Sequence, residues 1–122
     1  MNLKPKSLNN IKLYDLEERT FDFASNCRTL VKSLKTSMTN IEDGKQLLRS
    51  SGSVGANYIE ANEKLGEKDF KFRVKIARKE AKESGYWLRL LKEGNPTLNQ
   101  FNDLIQESDE LRKILSSIIN KT

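Results

Sequence analysis

Residues 15–34 read DLEERTFDFASNCRTLVKSL, and this stretch decides the fold because its apolar residues recur at helical spacing. Steps that alternate between four and three residues place one side chain per turn on a single helix face. Asp15 followed by Glu18 matches a capping box, so we expect the helix to begin at Asp15. The predicted core-facing stripe contains Leu16, Thr20, Phe23, Cys27, Leu30 and Leu34.

The same spacing recurs three more times along the chain. The second helix is expected to start at Thr39 or Asn40, either of which can act as its N-cap. Gly66 is expected to end that helix in the left-handed conformation. The third helix is predicted over residues 68–93, and the Asn95-Pro96 pair is a start signal for the fourth.

Four amphipathic helices with short connections pack most simply as antiparallel neighbours. The predicted fold is therefore an all-α, antiparallel, up-down four-helix bundle. A chain of 122 residues has material for one core and too little for two. We expect a bundle domain over residues 15–122, preceded by a basic tail over residues 1–14.

The composition argues against most enzyme classes. The chain has no histidine, which is the commonest general base and a frequent zinc ligand. Glu107 and Glu110 have the spacing of paired carboxylates, but without histidine they do not match a di-iron site, and we expect them to face solvent. A buried Glu60 or Glu83 is expected to pair with Arg49 in a structural ion pair. The sequence thus predicts no catalytic site, no bound metal, no cofactor and no small-molecule substrate.

The N-terminal sequence gives an expectation for the cellular location of the protein. The first residues carry positive charge without an apolar run behind them, and no segment is apolar enough to span a membrane. We therefore expect a cytoplasmic protein that does not bind membranes. The lone Cys27 lies in the apolar stripe and is interpreted as a small buried side chain.

A segment rich in glycine and serine, RSSGSVGANY at residues 49–58, lies within the predicted second helix. It lacks the strand and the lysine of a Walker loop, and the sheet of a KH domain. Each interior glycine costs a helix about 1 kcal/mol relative to alanine, so close packing should compensate. We hypothesise that this helix packs both against its own bundle and against a neighbouring subunit. The expected subunit interface comprises Ser51, Gly52, Gly55, Ala56 and Trp87.

Three blocks of sequence carry a family resemblance: YDLEERTF at residues 14–21, QLLRSSGSVGANYIEAN at 46–62 and KEAKESGYWLRLL at 79–91. The chain resembles the bacterial four-helix-bundle proteins named for 23S rRNA intervening sequences. That resemblance implies a homopentamer without known catalysis, and it supplies no catalytic residues. The chain is also similar to the accessory protein of diversity-generating retroelements, a pentamer that binds nucleic acid and a reverse transcriptase.

Positive charge is concentrated in two places. The net charge is +5, with +3 in residues 1–14 and +4 in residues 66–94. Cations in the second of these regions follow helical spacing and line one side of the third helix, where they can follow the phosphate backbone of RNA or DNA. We call these residues the basic stripe: Lys71, Lys75, Arg78, Lys79, Lys82, Arg89 and Lys92.

A second interpretation of the basic stripe stays open. Its cations can pair with Glu80, Glu83 or acids of a neighbouring helix, leaving a solvated face on a scaffold whose partner is a protein. Aromatic residues do not alternate with the cations, which argues against a platform for stacking several single-stranded bases. Tyr86 and Trp87 are nearby, but Trp87 is expected to bury against another helix or subunit.

Overall fold

A computed structural model of the chain describes residues 16–63 and 65–122. The described residues form four α-helices and no strand, which confirms the all-α prediction. The predicted start at Asp15 and the basic tail over residues 1–14 lie outside the described residues. The helices are α1 (Leu16–Ser33), α2 (Met38–Ala61), α3 (Glu67–Gly94) and α4 (Gln100–Lys121).

The four helices form a four-sided bundle. Each helix packs against its neighbour in sequence, and α4 returns to pack against α1. The diagonal pairs, α1 with α3 and α2 with α4, have no Cα atoms within 8 Å of each other. The α3/α4 side of the bundle is therefore opposite the α1/α2 side.

The predicted apolar rows form the core. Burying an aliphatic or aromatic side chain contributes roughly 1.5–3 kcal/mol relative to leaving it exposed, so these rows account for much of the stability. Cys27 is fully buried, which confirms the prediction that it is a packed side chain. Burial raises the pKa of its thiol to about 12, so the thiol is neutral. The fully buried side chains include Leu16, Phe23, Leu47, Val54, Val74, Leu88, Leu91, Phe101, Leu111 and Leu115.

The start of α2 differs from the prediction. Ser37 is the N-cap, because its side-chain oxygen accepts a hydrogen bond from the Asn40 backbone N–H at 3.1 Å. Neither Thr39 nor Asn40 caps the helix. Asn40 is buried instead, and its amide donates to the Lys35 carbonyl at 2.9 Å.

The end of α2 and the start of α4 also differ from the prediction, whereas α3 ends within one residue of its predicted end. Gly66 has a φ of +133° but lies at the N-cap of α3, since α2 already ends at Ala61. Asn95 caps the end of α3 and does not start α4. Its side-chain amide donates to the Asn40 Oδ1 at 2.9 Å, while the Asn40 amide donates back at 3.2 Å. This contact joins the start of α2 to the end of α3, and local sequence signals do not indicate it.

Two glycines mark the places where neighbouring helices approach most closely. A Cβ atom added at Gly55 of α2 would lie 2.7 Å from the Thr20 Oγ1 of α1. A Cβ atom added at Gly85 of α3 would lie 2.9 Å from the Ser108 Oγ of α4. Both separations are shorter than van der Waals contact, so each glycine permits a close helix pair within the chain.

An ion-pair cluster joins α2 to α3. The Arg49 guanidinium binds the Glu80 carboxylate at 3.2 Å and the Glu83 carboxylate at 2.8 Å. Glu80 is buried, whereas Arg49 is half exposed. The predicted pair between Arg49 and Glu83 is confirmed, and Glu60 is exposed on α2.

A second cluster joins α1 to α4. Arg19 donates to Glu107 at 2.7 Å and to Glu110 at 2.8 Å. Hydrogen bonding to these carboxylates raises the pKa of Arg19. The prediction that Glu107 and Glu110 face solvent is therefore only partly right, because both are half-buried and a cation from the neighbouring helix binds them.

We expect Gly55→Ala to destabilise the fold by about 1–2 kcal/mol, since overpacking against Thr20 outweighs the better helix propensity of alanine. Urea denaturation at fixed protein concentration measures the change. Gly94→Ala is the matched control, because a Cβ atom at Gly94 meets nothing within 4 Å. A Gly55→Ala variant as stable as Gly94→Ala would contradict the close approach of α1 and α2.

We expect Arg49→Met to lower stability by about 1–2 kcal/mol, because it leaves the buried Glu80 carboxylate without its cation. Lys45→Met is the control on the same helix, since Lys45 is exposed and its salt-bridge distance to Glu42 is 4.0 Å. Equal stability of the two variants at neutral pH would refute the structural role of Arg49.

Candidate nucleic-acid interface

The basic stripe runs along α3 on the side that faces α4. The Arg78 guanidinium donates to the Ser116 Oγ at 3.3 Å, and the Lys92 ammonium donates to the Asn102 Oδ1 at 2.7 Å. Ser116 and Asn102 belong to α4, so hydrogen bonds hold the stripe against that helix at two points. Helical periodicity predicts these cations along one face of α3, and the hydrogen bonds of Arg78 and Lys92 show that this face borders α4.

The cations of the stripe are at least partly accessible, and none of them has an ion pair with a described residue. Lys71 and Arg78 are half-buried, and the other five are exposed. Among residues 16–63 and 65–122, no carboxylate lies within ion-pair distance of any of the seven. The positive potential of the stripe is therefore not cancelled by direct ion pairs in the described part of the chain.

Three acids of α3 bind cations outside the stripe. The Asp69 carboxylate lies 3.6 Å from the guanidinium of Arg73, which follows it by one turn of α3. Glu80 and Glu83 bind Arg49 of α2. These acids lie on the flank of α3 away from the stripe, as their helical spacing requires. The pairing of stripe cations with Glu80 and Glu83, one of the two pairings that the solvated-face interpretation offered, is not present.

An open groove lies between α3 and α4, beside the stripe. A cavity of about 520 Å³ forms its main part, and a neighbouring cavity of about 460 Å³ shares Arg89 and Ile105 with it. We call the two cavities together the α3/α4 groove. Its lining includes Lys82, Gly85, Tyr86, Arg89, Lys92, Glu93, Pro96, Asn102, Ile105, Gln106, Asp109 and Arg112.

The wall that α4 contributes is closer to neutral than the wall from α3. The Arg112 guanidinium donates to Asp109 at 2.7 Å, and Lys113 lies 3.2 Å from the same carboxylate. Hydrogen bonding to Arg112 lowers the pKa of Asp109, so this carboxylate is ionised near neutral pH. Three cations of α3 therefore line the groove without an ion pair to a described residue: Lys82, Arg89 and Lys92.

The contribution of α4 to this groove was not predicted from the sequence. Arg112, Asn102 and Gln106 all lie beside the apolar row of α4, on the flank turned toward α3. Their positions relative to that row are visible in the sequence. Which neighbour that flank meets is visible only once the bundle is assembled.

The opposite side of the bundle carries an apolar groove between α1 and α2, which we call the α1/α2 groove. Its volume is about 440 Å³, and Phe21, 66% exposed, lies along it with the exposed Ile59. Gly52 and Ala56, two of the predicted interface residues, also line it.

Other residues predicted for the subunit interface lie deeper. Ser51 is fully buried and Gly55 is buried against Thr20 of the same chain. Their small size is thus explained by packing within one bundle. An interface role for all five predicted residues stays a prediction.

Trp87 lies on the α2-facing flank of α3. It is half-buried against the core, and its ring meets the Tyr86 ring edge-on with centroids 5.1 Å apart. Its indole nitrogen is buried without a hydrogen-bond partner among the described residues. Phe72, 57% exposed, and Leu90 add apolar surface on the same flank.

Metal sites and membrane-spanning segments are two further features that bear on function. In the part of the chain that the structure describes, no three histidine, cysteine or acidic residues come together as metal ligands. None of the described helices combines the length and the apolarity needed to cross a membrane.

The chain was compared with known proteins. A family model described as 23S rRNA-intervening sequence protein matches residues 13–117. A solved protein of unknown function, from the S23 ribosomal protein family of Bacteroides thetaiotaomicron VPI-5482, is 34% identical, with a TM-score of 0.73. The match covers 84% of this chain and 96% of that chain, and no curated protein matches. Because the family model spans all four helices, the chain belongs to the 23S rRNA-intervening sequence protein family.

Proposed function

We propose that this protein is a non-catalytic homo-oligomer that binds the phosphate backbone of RNA or DNA through the basic stripe, in the cytoplasm of a bacterium. The observation that carries the proposal is the set of seven cations without an ion-pair partner among the described residues, beside an open groove. Charged residues that serve only solubility are commonly interspersed with opposite charges. Here three of the five acids of the same helix, Asp69, Glu80 and Glu83, bind cations outside the stripe.

The basic stripe is long enough to contact several phosphates of one nucleic-acid strand or duplex. Lys71 and Lys92 are 21 residues apart in sequence, and at a rise of 1.5 Å per residue they are separated by about 30 Å along the axis of α3. Duplex DNA carries one phosphate charge per ~1.7 Å of its axis, so the stripe can meet several phosphates. Such contacts release condensed counterions and are independent of base sequence.

Self-association is supported by apolar surface elsewhere on the bundle. Phe21 and Ile59 lie along the α1/α2 groove, and Phe72 and Leu90 lie on the α2-facing flank of α3. Clustered exposed apolar side chains are typical of protein interfaces. Assembly through these surfaces would leave the α3/α4 side free, and the number of five subunits rests on the family resemblance alone.

The competing proposal is a scaffold whose apolar surfaces bind a different protein. In that case the basic stripe is only a solvated face. Nucleic-acid titrations and mass measurements distinguish the two proposals.

We expect labelled single-stranded RNA and duplex DNA to bind with an affinity that falls as salt rises. In Lys75→Glu/Arg78→Glu/Lys82→Glu, affinity should fall at least ~10-fold, and the slope of log K against log salt should become shallower by about three. Fluorescence anisotropy at several salt concentrations measures both.

The control carries the same charge change on another side of the bundle. Lys32→Glu/Lys35→Glu/Lys45→Glu replaces three exposed lysines of α1, α2 and their connection. This variant lowers net charge equally but leaves the stripe intact. Absent binding in the wild type, or equal losses in both variants, would contradict binding through the stripe.

Light scattering is expected to give a mass that is a multiple of the 14.0 kDa chain. Phe21→Ser should shift the distribution toward the monomer, because it removes a large apolar side chain from the α1/α2 groove. Met38→Ser is the control, since Met38 is 80% exposed and does not line that groove. A monomeric wild type, or a Phe21→Ser variant of unchanged mass, would exclude assembly through this groove.

A further inference from the structure

We propose that the α3/α4 groove binds an unpaired nucleobase stacked on Tyr86, so that the protein prefers single-stranded over duplex nucleic acid. This inference rests on the proposed function and specifies its ligand. It depends on four features of the groove: an exposed aromatic ring, a low floor beside that ring, flanking cations and free polar groups.

Tyr86 has the position and exposure of a stacking residue. It is 53% exposed and lines the main cavity of the groove. Its ring meets the Trp87 ring edge-on, at an interplanar angle of 77°. Because Trp87 is packed against the core, it restrains the Tyr86 ring, which reduces the entropy lost when a base stacks.

The floor of the groove is low next to this ring. Gly85 has no side chain, and Ser108 of α4 lies close beneath it, since a Cβ atom there would be 2.9 Å from the Ser108 Oγ. The resulting cavity of about 520 Å³ falls in the range of pockets that hold small organic ligands. A nucleobase is smaller than such ligands, so the cavity has room for one.

Two cations flank the ring along α3. Lys82 precedes Tyr86 by four residues and Arg89 follows it by three, so all three side chains lie on neighbouring turns of one face. Neither cation has an ion pair with a described residue. A base stacked on Tyr86 would therefore direct the phosphates on its two sides toward Lys82 and Arg89.

Polar groups on α4 can meet the edge of the base. Asn102 accepts a hydrogen bond from Lys92 through Oδ1, which leaves its amide N–H groups available as donors. Gln106 donates through Nε2 to Glu110, which leaves its carbonyl oxygen available as an acceptor. Donors and acceptors together suit several bases, so the groove favours an unpaired base without selecting one.

The preference for single strands follows because the ring faces of bases are accessible in a single strand but not in a duplex. In a duplex each base is stacked between neighbours, and its ring face is inaccessible to a side chain. In a single strand the face is free, and stacking on an aromatic side chain contributes substantially to binding. Because the groove has one such ring, it provides a site for one base and not an extended stacking platform.

The test compares labelled oligouridine with a duplex RNA of the same length, by fluorescence anisotropy at one salt concentration. Tyr86→Leu should weaken oligouridine binding by about 5- to 100-fold, the range that corresponds to loss of one stacked base. Its duplex affinity should stay within about two-fold of the wild type, because the cations remain. Tyr86→Phe keeps the ring and should retain oligouridine affinity.

A control variant and further measurements test whether Tyr86 itself causes the expected loss. Phe72→Leu is the matched control, since Phe72 is an exposed aromatic residue of the same helix outside the groove, and leucine keeps the apolar surface that the proposed assembly uses. The fluorescence of Trp87, the single tryptophan of the chain, should change when oligouridine binds and stay constant with the duplex. Thermal unfolding and light scattering should show that each variant keeps its fold and assembly.

The outcomes separate this inference from the proposed function. Wild-type binding that depends on the basic stripe but is unaffected by Tyr86→Leu overturns the stacking site and leaves the proposed function standing. Equal losses for oligouridine and duplex in Tyr86→Leu also overturn it. A wild type that binds neither oligonucleotide overturns both proposals.

Discussion

The Arg49 guanidinium, which binds Glu80 and Glu83 together, is the contact on which the charge separation of α3 depends. Glu83 lies one turn from Lys79, a spacing that favours pairing along the helix. Without Arg49, Glu83 would be free to pair with Lys79. Because Arg49 belongs to α2, it holds both carboxylates toward the α2 flank. Two hydrogen-bonded carboxylates raise the pKa of Arg49, so its charge persists at any physiological pH. The basic stripe is left without those acids.

Small residues allow the helices to approach closely where the two grooves form. Gly55 lets Thr20 approach α2, and Gly85 lets Ser108 approach α3. Between α2 and α3, the buried hydroxyls of Ser50 and Ser84 form a hydrogen bond of 2.9 Å, so these two helices also approach closely. The glycine-serine segment is therefore a helix-packing element, and its cost in helix propensity is offset by close contact.

The four-sided arrangement gives the two grooves separate chemistry. The α1/α2 groove is apolar and the α3/α4 groove is rich in cations, and each helix belongs to only one of them. Since these sides are opposite, a contact on one does not cover the other. Self-association and binding of an anionic polymer are thus compatible within one small bundle.

The sequence by itself determined the number of helices, their buried rows and the basic stripe, because all of these follow from the helical repeat of neighbouring residues. The tertiary structure decided features that join distant residues. Asn95 looks like the start of a helix but pairs with Asn40, and Glu107 looks solvent-facing but binds Arg19. Of the α3/α4 groove, only the cations of the basic stripe were predicted. Periodicity assigns a side chain to a face of its own helix, and only packing decides which helix that face meets.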